Sequence, residues 1–593
     1  MASKRRFLGG SLRAKVAPPK GPILRAFLFD PADFVKQPTI DASTGSSRSR
    51  SSTSIATMSS MAMAEKTPLD LERTAGSVDP VAAAPAPNPA PKGWSAWFGG
   101  PGTTIGPRIG PVLDSIARAS GESDSDESGA AILHKQRALE SSASIQYRTC
   151  SWQKTAALLF SEYICLAMMS FPWSYSVLGL VPGLIITVVQ ALLVLYTSLV
   201  LWQFCLRHPE VRDVCDIGQM LFGYKRWAWW ATAAMFILNN TFIQALHILV
   251  GAKYLNTMTA SDDNVSCRTV SFGVVVMVIC WLCSLPRTFN VLSRLGTASA
   301  FFTFVSVILA VIFAGIQAHP AGWDPRDSYT TAEGATAQGG NPIVTALPVA
   351  GTTFVAGLNA FLNISYTFIG QITLPSFIAE MKDPREFPKA LWTCTIAEIV
   401  LFALVGGVVY GFVGNQYMTS PAFGSLEPFF KKVAFSFMIP TLIFLGVLYA
   451  SVSARFVFFR LFANSRHKSE HTVKGWATWA GILLATWIAA FIIAQVIPFF
   501  SSLLSLMSSL FDSFFGFIFW GVAYFRMRRA DGTIGLLRER TLFGYLMGAL
   551  NIFIILMGAF FLTAGTYASV QEIIDEFNSG SLGGVFSCAS NGL

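Results

Sequence analysis

Ionisable residues inside long apolar runs are the positions in this sequence that could do chemistry. The stretch SEYICLAMMSFPWS (161–174) carries Glu162 and Pro172, Asp512 stands in SLFDSFFGF, and His247 in QALHILVG. Such groups are costly in hydrocarbon and mark ion or substrate pathways. Two interpretations of Glu162 stay open. It is a proton-coupling acid or gate residue, or an interface carboxylate paired with a cytosolic Lys or Arg.

The composition places these residues in a membrane protein. Of 593 residues, 52% are hydrophobic and 13% charged, whereas soluble domains are near a quarter charged. The net charge of +9 lies mostly in loops on one side, so we expect membrane lipid and no nucleic acid as a partner. Apolar segments are predicted at 154–178, 182–206, 227–256, 269–286, 292–316, 346–376, 388–414, 432–461, 475–497, 499–525 and 541–568, each of them long enough to cross a bilayer or close to it.

Lys and Arg concentrate in alternate loops, which sets the predicted orientation. The loops after the even-numbered segments are the basic ones, so the N-terminus is predicted cytosolic and the tail 569–593 extracellular or lumenal. On the outer side, Asn264-Val265-Ser266 is a glycosylation sequon. Cys267 and Cys588 are the outer loop and tail cysteines, and we predict that they form a disulfide.

The first part of the chain differs from the rest. Residues 1–145 are rich in Ser, Ala, Pro and Gly, as in STGSSRSRSSTS and AAAPAPNPAPK, and such composition predicts a disordered tail. Residues 150–568 form the predicted transmembrane domain. The sequence shows no Gly-rich phosphate loop and no Cys/His metal spacing, so we expect no enzyme activity, no cofactor and no bound metal.

Two of the predicted segments are interrupted. Pro172 breaks the first, and Ser365, Gly370, Gln371 and Pro375 break the sixth, FLNISYTFIGQITLPSF. Interrupted helices in corresponding positions of two halves indicate inverted repeats, here of five helices each, with the substrate site between the breaks. Unwound backbone must line a cavity rather than lipid.

Opposed half-helix ends suit a zwitterion. Free N–H groups, expected around Met169 to Phe171, hold a carboxylate, and free carbonyls hold an ammonium or a cation. On the third segment Asn240, Gln244, His247 and Gly251 share one helix face. That stripe is either interhelical hydrogen bonding or a pocket wall and proton relay, and we favour the second. The predicted substrate-binding residues are Ala167, Met168, Met169, Ser170, Tyr366, Thr367, Phe368, Gly370, Asn240 and Gln244, with the Met and aromatic side chains shaping an apolar pocket.

Four stretches also form a recognisable set: Glu162, Cys165-Leu166-Ala167 and Phe171-Pro172; His247-Ile248-Leu249-Val250-Gly251 with Leu255-Asn256-Thr257; SLPRTFN at 284–290; and EMKDPREFPKAL at 380–391. They resemble the auxin/amino-acid permease family, most closely its fungal neutral-amino-acid branch, over residues 150 to 568. The resemblance implies an all-α polytopic fold of eleven transmembrane helices, a five-plus-five inverted repeat with helices 1 and 6 broken, and amino-acid transport.

The chain departs from the family at Ala167, Gln371 and Asp512, which leaves the substrate and the coupling ion open. Transporters of this architecture can hold sodium between the first break and a hydroxyl pair on helix eight. Here Ser451 and Ser453 in YASVSARF are the candidates for that cation site, and packing serines are the alternative.

We therefore expect a secondary active transporter that moves neutral amino acids by alternating access, with proton symport as the drive and sodium as the alternative. Glu162, His247 and Asp512 are the predicted proton-coupling residues; for Asp512, the partner of a buried base and a carboxyl kept neutral by burial are open alternatives. The plasma membrane is the expected location. A vacuolar exporter of the same family and a non-transporting amino-acid receptor on the same scaffold are the rival hypotheses.

Overall fold

The computed structural model describes residues 98–100, 103–109, 133, 150–211, 213–259, 268–287, 289–326, 329–330, 336–337, 339–462, 465, 467, 472–532, 542–580, 584–588 and 590–592. Within these ranges the fold is helical, apart from a pair of two-residue antiparallel strands, β1 (Tyr329–Thr330) and β2 (Thr336–Ala337). Most of the predicted tail 1–145 lies outside the described residues, as do Asn264 and Cys267.

The first half of the chain forms eight α-helices within the described ranges. They are α1 (Trp152–Tyr163), α2 (Phe171–Leu178), α3 (Leu180–Arg207), α4 (Val214–Leu221), α5 (Arg226–Met258), α6 (Arg268–Ser284), α7 (Phe289–Ile316) and α8 (Phe354–Phe368). The second half continues with α9 (Leu374–Glu380), α10 (Phe387–Val413), α11 (Pro428–Ser436), α12 (Ile439–Leu461), α13 (Val473–Val496), α14 (Phe500–Met507), α15 (Phe519–Ala530), α16 (Leu542–Phe560) and α17 (Thr566–Asn578).

These helices are those of a multi-pass membrane protein. In the described ranges, eight stretches are long and apolar enough to cross a bilayer, and a bent pair at the start of the domain makes a ninth. Two shorter apolar helices, α6 and α8, are not in that count. The predicted all-helical polytopic class is confirmed, whereas the count of eleven spans and the five-plus-five repeat stay predictions.

The break in the first segment lies earlier than predicted. Helix α1 ends at Tyr163, a 3₁₀ turn covers Leu166–Ser170, and α2 begins at Phe171. The two halves meet at an angle of 46°. Pro172 lies in the first turn of α2, where proline is tolerated because its missing N–H has no intrahelical acceptor to lose. The proline therefore starts the outer half-helix and does not itself form the break.

The sixth segment is broken at Ile369 to Thr373. Helix α8 begins after Thr353, whose side chain accepts a hydrogen bond from the Ala356 N–H, and it ends at Phe368. Helix α9 starts at Leu374 with Pro375 in its first turn. Two other boundaries differ from prediction. The eighth segment is two helices, α11 and α12, and the final one continues as α17 to Asn578, past the predicted end at 568.

Ten of the described helices form two packed groups. In the first helix group (α1, α2, α3, α8 and α10), α10 packs on α1, α2 and α3, and α8 packs on α2 and α3. Buried hydrogen bonds join its members: Gln190 Nε2 donates to Ser365 Oγ at 2.6 Å, and the Tyr175 and Thr187 hydroxyls lie 2.8 Å apart. Each interhelical bond of this kind contributes about 1 kcal/mol.

The second helix group (α4, α5, α6, α12 and α13) is built around α5, which packs on the other four. Hydrogen bonds also join the members of this group. Trp487 Nε1 donates to Ser284 Oγ at 3.2 Å, and Trp479 Nε1 donates to the Leu285 carbonyl at 3.0 Å. Helix α7 contacts both groups, through α12 on one side and α1 and α10 on the other.

Cys588 is disulfide-bonded. Its carbonyl accepts a hydrogen bond from the N–H of Arg268 at 3.1 Å, which brings the tail next to the residue that follows Cys267. Because Cys267 itself lies outside the described residues, its pairing with Cys588 stays a prediction, and so does glycosylation of Asn264.

Candidate functional site

A small polar cavity lies where the two broken segments face each other. It encloses about 60 Å³. Its lining comes from both breaks, from α5 and α12, and from the helix that carries Asp512. The lining residues are Glu162, Tyr163, Cys165, Asn239, Ile243, Tyr366, Thr367, Ile369, Gly370, Ile372, Tyr449, Asp512 and Phe515.

Glu162 is at the break itself. The sequence places it about 15 Å from Pro172 along a continuous helix of ~1.5 Å rise per residue, but α1 ends one residue after it, so the carboxylate turns into the cavity. Its Oε1 accepts a hydrogen bond from Tyr449 Oη at 2.9 Å. Its Oε2 is buried and has no partner among the described residues. A buried acceptor left unpaired is a position where a ligand or proton can bind.

Asp512 lines the same cavity from a different helix. It lies in a π-helical stretch, Ser508–Ile518, between α14 and α15. Such wide turns are frequent at functional sites. The carboxylate is buried, and its Oδ2 lacks a partner in the described part of the chain. Two carboxylates therefore face one cavity.

The two breaks touch through Tyr163 and Gly370. A Cβ added at Gly370 would lie 2.2 Å from a ring carbon of Tyr163, closer than any two carbon atoms can approach without bonding. Glycine at position 370 therefore lets the unwound part of the sixth segment lie directly on the end of α1. This contact brings the two interrupted segments together.

The predicted substrate-binding residues divide into two sets. Tyr366, Thr367 and Gly370 line the cavity. The others are buried elsewhere: Met168 borders a separate apolar pocket of about 150 Å³ beside α7 and α10, and Phe368 contacts the rings of Phe171 and Phe402. Ala167, Met169 and Ser170 are buried in the 3₁₀ turn and do not belong to the described cavity lining.

The free backbone N–H groups of the first break do not lie around Met169 to Phe171, where the sequence predicts them. The N–H of Phe171 donates to the Met168 carbonyl, and the N–H of Met168 donates to the Cys165 carbonyl at 3.3 Å. These donors are therefore occupied. The first residues of a helix lack intrahelical acceptors, which moves the candidate anion-binding N–H groups to Leu166 and Ala167 at the start of the 3₁₀ turn.

The polar stripe of α5 faces the second helix group. Asn240 Nδ2 donates to Ser453 Oγ on α12 at 3.0 Å, and Gln244 Nε2 donates to the Asn240 carbonyl at 3.2 Å. The Cβ of His247 lies 3.3 Å from the position of a Cβ built on Gly446 of α12. The cavity face of α5 instead carries Asn239 and Ile243. Asn240, Gln244 and His247 are thus placed at a helix–helix contact beside the cavity, outside its described lining.

The two serines of α12 lie in the same contact. Ser451 and Ser453 are buried, and the hydroxyl of Ser453 already accepts the Asn240 hydrogen bond. The described cavity lining includes Tyr449 from this helix and neither serine. The cation site at Ser451 and Ser453 stays a prediction, and so does the packing alternative.

Sequence reasoning missed three of the polar lining residues: Tyr163, Asn239 and Tyr449. Each stands beside a residue that was singled out, since Tyr163 follows Glu162, Asn239 precedes Asn240, and Tyr449 lies four positions before Ser453. A polar tip on an aromatic residue within an apolar run was the available signal for the two tyrosines.

The fold and this cavity define the class: a multi-pass membrane protein with a polar cavity at the breaks of two interrupted helices. A family model described as transmembrane amino acid transporter protein matches residues 148–571. The chain belongs to that family, which confirms the resemblance to fungal amino-acid permeases.

Fungal relatives agree with this assignment. A Neurospora crassa protein named "N amino acid transport system protein" is 31% identical over 446 residues, which cover 75% of this chain and 89% of that protein. A Gibberella moniliformis protein named "Transmembrane transporter" is 31% identical over 453 residues, covering 75% of this chain and 89% of its own length. A Fusarium pseudograminearum protein of the same name is 28% identical over 452 residues, or 75% and 88% of the two chains.

Proposed function

We propose that the protein is a symporter that couples the entry of a neutral amino acid to protons by alternating access. The observation that carries the proposal is the pair of buried carboxylates, Glu162 and Asp512, at one cavity between the two helix breaks. In hydrocarbon a carboxylate pair of this kind is costly unless it binds a cation or a proton.

The first break and the cavity together offer complementary ends for a zwitterion. The N–H groups of Leu166 and Ala167 follow the lining residue Cys165 but lie outside the described lining; they would meet the substrate carboxylate once the cavity enlarges, because helix N-termini attract anions. The carbonyl end of α8 and the free Oε2 of Glu162 suit the ammonium. Ile243, Ile369 and Phe515 supply an apolar wall, which favours an uncharged substrate side chain.

The proton is the better-supported coupling ion. Glu162 keeps one oxygen on Tyr449 and the other without a partner among the described residues, so a proton can be added without breaking the existing bond. Sodium would need several oxygen ligands at one point. Neither Ser451 nor Ser453 belongs to the described lining of the cavity, which supports the proton over sodium at this place.

Transport requires the cavity to change size and exposure. At about 60 Å³ it is far below the ~300 Å³ or more of typical ligand pockets. The first and second helix groups are the bodies whose relative movement would enlarge it. Broken helices fit such a motion, since half-helices can tilt independently around the break.

The location proposed is the plasma membrane, with the N-terminus cytosolic and the C-terminal tail outside. The basic loops support this orientation. The name of the Neurospora crassa relative, an amino acid transport system protein, agrees with an amino acid as cargo.

Uptake by purified protein in proteoliposomes tests the proposal. Radiolabelled neutral amino acids are supplied with an outside-acidic gradient, an inside-acidic gradient, or no gradient, with sodium or choline as the salt. We expect uptake that rises with outside acidity and ignores sodium. Sodium-dependent uptake that is indifferent to pH would reject proton coupling. Tight binding with no uptake under any gradient would favour the receptor hypothesis.

A further inference from the structure

A segment before the membrane domain lies across one end of the helices. We call residues 98–109 the strap, of which 98–100 and 103–109 are described. At its start, the Phe98 ring lies 5.4 Å from the Trp392 ring of α10, measured between centroids. The Gly100 N–H donates to the Arg385 carbonyl at 2.9 Å. These contacts attach the strap to the beginning of α10 in the first helix group.

The other end of the strap is attached by charge. Arg108 forms an ion pair with Glu210, which is buried in the loop between α3 and α4. Glu210 Oε1 also lies 3.0 Å from His208 Nδ1, and His208 Nε2 accepts a hydrogen bond from the Ile109 N–H at 3.0 Å. Because Nε2 accepts, Nδ1 carries the imidazole proton and donates it to Glu210. The strap backbone thus completes a buried hydrogen-bond network.

Two further side chains tie this end to neighbouring helices. Arg207, the last residue of α3, donates to the Pro107 carbonyl at 3.3 Å and to Asp531, after α15, at 2.7 and 3.0 Å. Tyr224, in the loop before α5, donates to the Ile109 carbonyl at 3.3 Å. Ile109 itself is buried. The strap therefore contacts the first helix group and the approach to the central helix of the second.

Two glycines allow this close contact. Gly99 has a φ of +64°, and a Cβ there would lie 2.3 Å from the Arg385 carbonyl oxygen. At Gly106 a Cβ would lie 2.5 Å from the guanidinium carbon of Arg207. At position 99 the obstacle is a backbone carbonyl oxygen, which a rotamer change cannot move. In addition, Gly99 itself has a left-handed backbone conformation that favours glycine.

We propose that the described strap residues, 98–100 and 103–109, hold the two helix groups together at this face and slow the opening of the cavity. The predicted effect of the strap on transport rests on the proposed function, because opening of the cavity changes the uptake rate only if the two helix groups move during each transport cycle. Its structural content is independent of the cargo. Release of the strap should expose the cavity more often and speed the transport cycle.

The test uses full-length protein in proteoliposomes, with Gly99→Ala and Arg108→Ala as two separate ways to detach the strap. Hydrogen exchange of the backbone amides at 105, 106, 108, 109, 208, 210 and 211 reports attachment. Alkylation of Cys165, a cavity-lining cysteine, by a maleimide and mapped by mass spectrometry reports opening. Initial uptake of a neutral amino acid reports transport.

Both variants should raise the amide exchange rate about tenfold or more. Each loses one charge-assisted or backbone hydrogen bond, and a loss of ~1.5 kcal/mol corresponds to a change of that size. Cys165 alkylation and initial uptake should rise severalfold in parallel. Thr104→Ala, at an exposed strap position, and Arg326→Ala, which removes an exposed arginine from another loop, are the matched controls and should behave as the wild type.

The outcomes separate the two proposals. Faster Cys165 alkylation without any uptake, in the wild type or the variants, would reject the proposed transport and support the strap. Faster amide exchange with unchanged Cys165 alkylation would overturn the strap as a restraint. Amide exchange equal to that of the wild type in both variants would show that these contacts do not hold the segment, and would overturn it too.

Discussion

Tyr449 donates a hydrogen bond to Glu162 at 2.9 Å, joining α12 of the second helix group to the end of α1 in the first. The bond crosses the cavity that both residues line. Opening of the cavity between the two groups must lengthen or break it. The state of one carboxylate is thereby linked to the separation of two sets of helices.

Replacing Glu162 with Gln should flatten the pH dependence of uptake. An amide keeps the size of the carboxyl group and can still accept from Tyr449, but it cannot take up a proton in this pH range. Initial uptake by proteoliposomes at external pH values from 5 to 8 is the measurement.

Glu398→Gln is the matched control for that change. Glu398 is also buried in the membrane domain, where Cys394 Sγ donates to it at 3.1 Å, but it is absent from the described lining of the cavity. It should keep the wild-type pH profile. An unchanged profile in Glu162→Gln would make Glu162 a structural anchor.

Replacing Tyr449 with Phe should lower uptake about tenfold or more, because a hydrogen bond to a charged group contributes ~1.5–3 kcal/mol. Glu162 would then lose its described donor. Tyr175→Phe is the control, since its buried hydroxyl bonds Thr187 at 2.8 Å away from the cavity. Initial rates of the two variants within twofold of each other would contradict a special role for Tyr449.

Replacing Gly370 with Ala should both destabilise the protein and block transport. The new methyl would lie 2.2 Å from the Tyr163 ring, and overpacking of this kind costs about 1–3 kcal/mol. Thermal unfolding in detergent and uptake are the measurements. Gly357→Ala, in α8 of the same broken segment and with open space around it, should leave both unchanged or raise stability slightly. A Gly370→Ala protein as stable and active as the control would refute the close contact.

The strap should depend on ionised Glu210. Burial by itself raises the pKa of Glu210, but the hydrogen bond from His208 and the hydrogen bond and charge of Arg108 outweigh it and lower the pKa below the ordinary 4.5. A lowered pKa in the folded protein means stabilisation that is present above the ordinary value and lost as the pH falls through the folded value.

The corresponding measurement compares strap amide exchange, corrected for intrinsic rates, in wild type and Glu210→Gln. The difference should be constant from pH 8 to 5 and shrink only at pH values below about 4.5. A difference that already disappears between pH 7 and 6 would show that Glu210 is not the ionised partner of Arg108.

Particular residues show how far prediction reached. Apolar runs and basic loops are set by the bilayer and need no tertiary information, so the membrane class and most segment positions follow from them. Pro172 and Pro375 marked both interrupted segments because proline cannot continue a helix. The displacement of the first break to Ile164 and Cys165 was not predicted, since proline fits the first turn of the next helix equally well.

The strap shows a different limit. Composition grouped residues 98–109 with a disordered tail, because Gly and Pro dominate that stretch. The segment nevertheless buries Ile109 and pairs Arg108. Its partners, Glu210 and His208, lie about a hundred positions away in sequence, and no local pattern indicates such contacts.

Sequence by itself determined the class of protein, most of the helical segments, the two interruptions and the two buried acids, Glu162 and Asp512, that line the cavity. Only the tertiary structure decided which side chains share the cavity. Asn239 faces it, whereas its neighbour Asn240 bonds Ser453. The physical reason is that a helix in lipid is apolar on most of its circumference, so its pattern carries little information about rotation. That rotation is set by packing against neighbouring helices.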